Sequence, residues 1–230
     1  MIKTLAFDAD DTLWQNEQFF RLTEKEFQSL LSDHADEKML AEKLLDTERK
    51  NLKTYGFGIK GFTLSMIETA LQVTDGRVPT TVIGKILGIG RELLSHPIEL
   101  MPGVTEVLNR VAPDYDLFLI TKGDLFDQER KIAQSGLADY FQAIEIVHDK
   151  NEATYRRIFD QRGVQAADAM MVGNSMKSDV LPVLNLGSWG VYVPHDMNWV
   201  MEHAEAPEDH PRFRQIDKLT DLPAVLDQIT

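Results

Sequence analysis

Two carboxylates stand two residues apart where a short apolar run stops, in Lys3-Thr-Leu-Ala-Phe-Asp8-Ala-Asp10-Asp11-Thr12-Leu13-Trp14. The run Leu5-Ala6-Phe7 suits a strand buried on both faces of a parallel sheet, which leaves Asp8 at its carboxyl end. Open α/β sheets bind their ligands at that end, so an acid there is placed for chemistry rather than for solubility. Asp10 is close enough to share a metal or a substrate with Asp8. Taken alone, the stretch also reads as an ordinary Asp-rich turn, because aspartate caps helices and tolerates turn geometry.

Three downstream stretches follow the same design of apolar run, turn and polar residue. Leu119-Ile120-Thr121-Lys122-Gly123-Asp124 ends a strand-like run in a hydroxyl just before a helix, where free N–H groups make an anion site. Val147-His148-Asp149-Lys150-Asn151-Glu152 places a lysine near the start of a helix. Met171-Val172-Gly173-Asn174-Ser175-Met176-Lys177-Ser178-Asp179 opens an apolar strand into a loop that carries an amide and an acid.

In this order the four stretches resemble the motifs of the haloacid dehalogenase-like (HAD) hydrolase superfamily, and the resemblance spans the whole chain. It implies that Asp8 attacks phosphorus and becomes an aspartyl phosphate, while Asp10 serves as general acid and then general base. It further implies that Thr121, Lys122 and Lys150 hold the phosphoryl group. Mg²⁺, an oxygen-seeking cation, would lie among Asp8, the main-chain carbonyl of Asp10, Asn174 and Asp179. Asn174 departs from the family pattern, which has an acid there; an amide oxygen ligates without charge and moves the burden to Asp179. Lys122 departs as well, standing where capped members often have asparagine. Thr12 is expected to order the turn. The substrate expected is a small phosphorylated metabolite.

The elements that must position these residues fall into two groups. Between Gln15 and Pro97 the pattern is helical throughout, with a first amphipathic helix through Phe19, Phe27 and Leu31, a second from Asp36 to Tyr55, a third over 62–73 and a fourth over 79–96. From Met101 onward, helices alternate with strand-like runs at 117–121, 143–147, 170–172 and 191–193, which implies a parallel sheet with right-handed crossovers. The expected fold is therefore α/β, a Rossmann-like parallel sheet over 1–14 and 98–230, with an inserted helical cap domain over 15–97. Residues 195–211 read as surface loop with a short helix.

Composition narrows the function. The 230 residues carry 24 Lys plus Arg against 37 Asp plus Glu, a net charge of −13, which opposes nucleic acid and anionic membrane surfaces. A phosphorylated substrate must then be held by a local cluster rather than by the global field. The absence of cysteine excludes disulfides, thiolate metal sites and a cysteine nucleophile. No stretch reads as a signal peptide or a membrane span, so the default expectation is cytoplasmic. The oligomeric state is not legible in the sequence. Three alternatives remain: a dehalogenase, against which Asp10 argues; a phosphomutase of the same cap class; and a non-catalytic binding protein, which an intact Asp8 and Asp10 disfavour.

Overall fold

The computed structural model describes residues 1–229. They divide into two compact units, Met1–Glu17 with Ile98–Lys122 and 128–229, and Gln18–Pro97 with Gly123–Asp127.

The first unit is built on a six-stranded, all-parallel sheet: β1 (Thr4–Phe7), β2 (Asp116–Lys122), β3 (Ala143–Val147), β4 (Ala169–Gly173), β5 (Trp189–Tyr192) and β6 (Phe213–Gln215), in the spatial order β3-β2-β1-β4-β5-β6. Alternation along each strand separates two cores. Leu5 and Phe7 face one side with Leu117, Leu119, Met170 and Val172, packed by α5 (Val104–Val111), α6 (Leu125–Ser135) and α9 (Leu222–Ile229). Ala6, Phe118, Ile120 and Met171 face the other, packed by α7 (Glu152–Arg162) and α8 (Leu181–Asn185). With both faces covered, the central strands need side chains that are apolar throughout, which is why β1 and β4 are buried at every position. Strand order reverses direction at β1, and the crevice outside the carboxyl end of such a strand is where open α/β sheets take their ligands. Phe7 pairs with Leu119 on one side and Val172 on the other, so residue 8, Thr121 and Asn174 emerge at the same end of the sheet.

The second unit is helical: α1 (Glu17–Leu30), α2 (Glu37–Tyr55), α3 (Ile59–Val73) and α4 (Thr80–Ser95). Phe27, Leu31, Leu40, Leu44, Met66 and Ile86 form its core. Asp36 caps α2 by accepting from the Met39 amide at 2.8 Å. Gly90 lets α4 close on α3, since a β-carbon there would overlap the Thr63 side chain. Within this unit, Lys60 donates to both oxygens of Asp124 at 3.0 Å.

Two elements differ from the sequence expectation. The short strand β6, Phe-Arg-Gln, was not anticipated, because three residues with one apolar side chain carry no strand period. The helix that must follow the 170–172 run opens with a π-helical turn, Met176–Val180, which the Ser175 hydroxyl caps by accepting from the Ser178 amide at 2.9 Å. Among the described residues, no helix is long and apolar enough to cross a membrane.

Candidate active site

The turn after β1 sends its three aspartates in different directions. The Asp8 amide donates to Val172 O at 2.9 Å and prolongs the β1–β4 contact by one residue. Ala9 O then accepts from the amides of Thr12, Leu13 and Trp14, closing a tight loop in which Asp11 takes a left-handed φ of 62°. The Asp11 carboxylate accepts from the Asn16 and Glu17 amides at 2.8 and 3.0 Å and so caps α1, a role its neighbours hid in the sequence. Burial pushes its carboxyl up to about 6, with the nearby His195 pulling the other way.

Asp8 is buried at the centre. Lys150 Nζ donates to Asp8 Oδ1 and, at 2.7 Å, to Asp179 Oδ1, while the Thr12 hydroxyl donates to Asp8 Oδ2 at 3.0 Å. Burial is the largest influence on Asp8 and pushes its carboxyl from 3.8 to about 7; Lys150 lowers it, and the charges of Asp179 and Asp10 raise it. For Lys150 burial alone would favour the neutral amine, but the two carboxylates outweigh that and hold the ammonium well above its ordinary range. The lysine is fixed from behind because Asn151 caps α7, accepting from the Thr154 amide at 3.0 Å.

At the end of β4, Gly173 makes room for Asp179: a β-carbon at 173 would overlap the Asp179 carboxylate. Each oxygen of Asp179 has a partner, Oδ1 accepting from Lys150 Nζ and Oδ2 from the Ser175 amide at 2.9 Å. Asn174 is placed differently. Its amide terminus lies 3.1 Å from the Asp10 carbonyl oxygen, 3.2 Å from Asp8 Oδ2 and 3.1 Å from Thr12 Oγ1. Turned nitrogen-first, the amide donates to these atoms. Turned oxygen-first, it gathers a carboxylate, a carbonyl and an amide oxygen with the single Thr12 hydroxyl as their shared donor, an arrangement a hard cation relieves. Oxygens at right angles around Mg²⁺ stand about 3 Å apart, so this donor set fits that ion. Among the described residues no three His, Cys, Asp or Glu side chains converge as a metal cage.

Thr121 and Lys122 end β2 and part company. The Thr121 hydroxyl is buried without a hydrogen-bond partner among the described residues, an orphaned group that a phosphoryl oxygen would satisfy. Lys122 Nζ instead donates to Glu202 Oε1 at 2.5 Å and to the Ser178 hydroxyl at 2.9 Å. Glu202 Oε2 also accepts from the Ser175 and Ser178 hydroxyls, both at 2.5 Å. Burial works against the Glu202 charge, but Lys122 and these hydrogen bonds prevail and hold its pKa below the ordinary 4.5. Part of the stretch read as surface loop thus reaches inward through Glu202, which sequence reasoning missed.

Asp10 turns its carboxylate into a cradle of donors. Trp14 Nε1 and Lys131 Nζ reach Oδ1 at 2.7 and 3.0 Å; Gln128 Nε2 and Lys131 Nζ reach Oδ2 at 2.8 and 3.2 Å. Neither Gln128 nor Lys131 stood out in the sequence. Their spacing of three on α6 puts them on one helix face, which was the available signal.

With this geometry in view, the comparisons with known proteins are decisive for the family. A model of haloacid dehalogenase-like hydrolases matches residues 2–187. The chain belongs to that family. The solved structure of a haloacid dehalogenase-like family hydrolase from Xanthomonas campestris is 43% identical, covering 99% of this chain and 91% of the other with a TM-score of 0.89. N-acylneuraminate-9-phosphatase of Mus musculus is 26% identical over 99% of this chain and 95% of its own length. Pyrimidine 5'-nucleotidase YjjG of Escherichia coli (strain K12) is 26% identical over 80% of this chain and 82% of its own. The HAD hydrolase is thus an enzyme of the α/β, Rossmann-like class, as the resemblance implied.

Proposed function

We propose that this HAD hydrolase is a Mg²⁺-dependent phosphatase of small phosphorylated metabolites, with Asp8 as nucleophile and Asp10 as general acid and base. The observation that carries the reading is the environment of Asp8: a buried carboxylate at the end of β1, held by the Lys150 ammonium on one oxygen and facing Thr12 and Asn174 with the other. A carboxylate so flanked can attack phosphorus while the lysine neutralises charge that builds on the phosphoryl oxygens.

In the first step an Asp8 oxygen bonds to phosphorus as the ester P–O bond breaks, and Asp10 gives its proton to the departing oxygen. In the second, Asp10 takes a proton from water as the water oxygen bonds to phosphorus and the Asp8 O–P bond breaks, releasing inorganic phosphate. Thr121, with its unsatisfied hydroxyl, holds a phosphoryl oxygen. Asp8, the Asp10 carbonyl and Asn174 would hold Mg²⁺, which when bound supplies positive charge to the phosphoryl oxygens. Asp179 holds Lys150 beside this set and would add a second carboxylate to it. Lys122, committed to Glu202, braces the loop instead of reaching the phosphate. The helical unit serves as the cap that selects the substrate.

Two of the relatives named above are an N-acylneuraminate-9-phosphatase and a pyrimidine 5'-nucleotidase, so both substrate classes belong in the test. Phosphate release is measured across sugar phosphates and nucleoside monophosphates with Mg²⁺ and with chelator, alongside halide release from 2-haloacids. Mg²⁺-dependent phosphate release without halide release is expected. Halide release, or phosphate release indifferent to chelator, would overturn the reading.

A further inference from the structure

The Asp10 carboxylate has more donors than a proton-transfer group can keep. A carboxylate offers about four lone-pair positions, and here all four receive a donor: one from Trp14, one from Gln128 and two from Lys131. Asp10 therefore neither carries nor accepts a proton until one of them lets go. The three donor groups are buried, and they are not equally free to move away. Trp14 has a single N–H, which would be stranded. Gln128 already gives its other hydrogen to the Lys122 carbonyl at 2.9 Å, so withdrawal from Asp10 would strand a buried N–H as well. Lys131 differs, because it also donates to Asn16 Oδ1 at 2.8 Å and keeps that partner when it leaves the carboxylate.

We propose that Lys131 is a positioning residue for Asp10. Trp14 and Gln128 hold the plane of the carboxylate, while Lys131, tied to Asn16 as well, spans both of its oxygens and fixes its orientation toward the leaving group. The inference rests on the reading of Asp10 as general acid and base. In the first step the proton passes from Asp10 to the leaving oxygen as the P–O bond breaks, which requires the carboxyl group to face that oxygen. Without Lys131 the carboxylate is anchored at two positions of four, and its orientation toward the leaving oxygen is lost. The penalty then falls on substrates whose leaving group needs the proton.

The test is kcat/KM, which reports the steps up to leaving-group departure, for glycerol 2-phosphate, phenyl phosphate and 2,4-dinitrophenyl phosphate. Its arms are the wild type, Lys131→Met, Asp10→Asn and the double variant. Lys131→Met is expected to lose roughly tenfold or more on glycerol 2-phosphate, part of the 10²–10⁴ that a whole general acid supplies, and less than about threefold on 2,4-dinitrophenyl phosphate, whose phenolate leaves unaided. In the Asp10→Asn background the same change should add no further dependence on the leaving group. Equal losses on all three esters would mark Lys131 as merely structural and overturn the proposal. If Asp10→Asn itself treats the esters alike, the fault lies with the Asp10 assignment, and the proposal falls with it. Should Lys131→Met fail to fold, Gln128→Met removes the other α6 donor; a smaller loss graded in the same order supports the proposal, and a uniform loss refutes it.

Discussion

Removing the Lys150 ammonium tests the electrostatics of the site without any substrate. Lys150→Met keeps most of the buried volume but leaves Asp8 and Asp179, both buried, facing one another with no counterion. Breaking a buried ion pair from one side costs about 3–5 kcal/mol. For a chain of this size each kcal/mol moves Tm by about 2–4 °C, so a drop on the order of 10 °C is expected at pH 8. The loss must also depend on pH. The folded-state value of Asp8, about 7, lies above its ordinary 3.8; the stability tied to its protonation is therefore complete below about pH 4 and disappears as pH rises through 7. Lys150 is a lowering influence on Asp8, so the variant raises that folded value further. At pH 5 a proton then replaces the missing ammonium and most of the loss is recovered, whereas at pH 8 it is not. Urea unfolding of both proteins with chelator present, at pH 5, 6.5 and 8, reads this directly. A difference of the same size at all three pH values would refute the argument.

Three further outcomes follow from the neighbouring contacts. Glu202→Gln should lower stability at pH 7 by about 3 kcal/mol; because the pKa of Glu202 is lowered, its contribution is present above 4.5 and lost as pH falls through the folded value, so unfolding curves of variant and wild type should converge in acid. Gly173→Ala should cost about 1–3 kcal/mol by overpacking and lower kcat as well, since the β-carbon displaces the Asp179 carboxylate that holds Lys150; calorimetric melting and steady-state rates check the two parts. Asn174→Asp adds a negative charge 3.2 Å from Asp8 Oδ2, so Mg²⁺ titrated by isothermal calorimetry should bind more tightly; unchanged or weaker binding would show that position 174 does not face the metal.

The sheet was legible because strands buried on both faces are written as apolar runs, and each run ends at a residue of the site: Phe7 before Asp8, Ile120 before Thr121, Val172 before Gly173. The helical segment declared itself by period and caps, Asp36 being the plainest. What stayed hidden depends on contacts between segments far apart in the chain. Glu202 looks like one more acid in a polar loop until the fold brings it to Lys122, 80 residues away. Lys131 and Gln128 look like the solvated face of an amphipathic helix, and Phe126 like its apolar stripe; the fold reverses this, burying the two polar residues on Asp10 and leaving Phe126 67% exposed. Lys122, expected at the phosphoryl group, pairs instead with Glu202, whose loop carries no pattern that would reveal the contact.

The central claim is that phosphate passes through Asp8. It is tested most directly by mixing enzyme with a rapidly turned-over phosphomonoester, quenching in acid within milliseconds, and mapping the phosphate by peptide mass spectrometry. The account predicts a base-labile phosphate on Asp8, in the peptide that spans residues 4–21, and no phosphorylated peptide or turnover in Asp8→Asn. Phosphate on any other residue, or hydrolysis persisting in Asp8→Asn at wild-type-like rates, would contradict it.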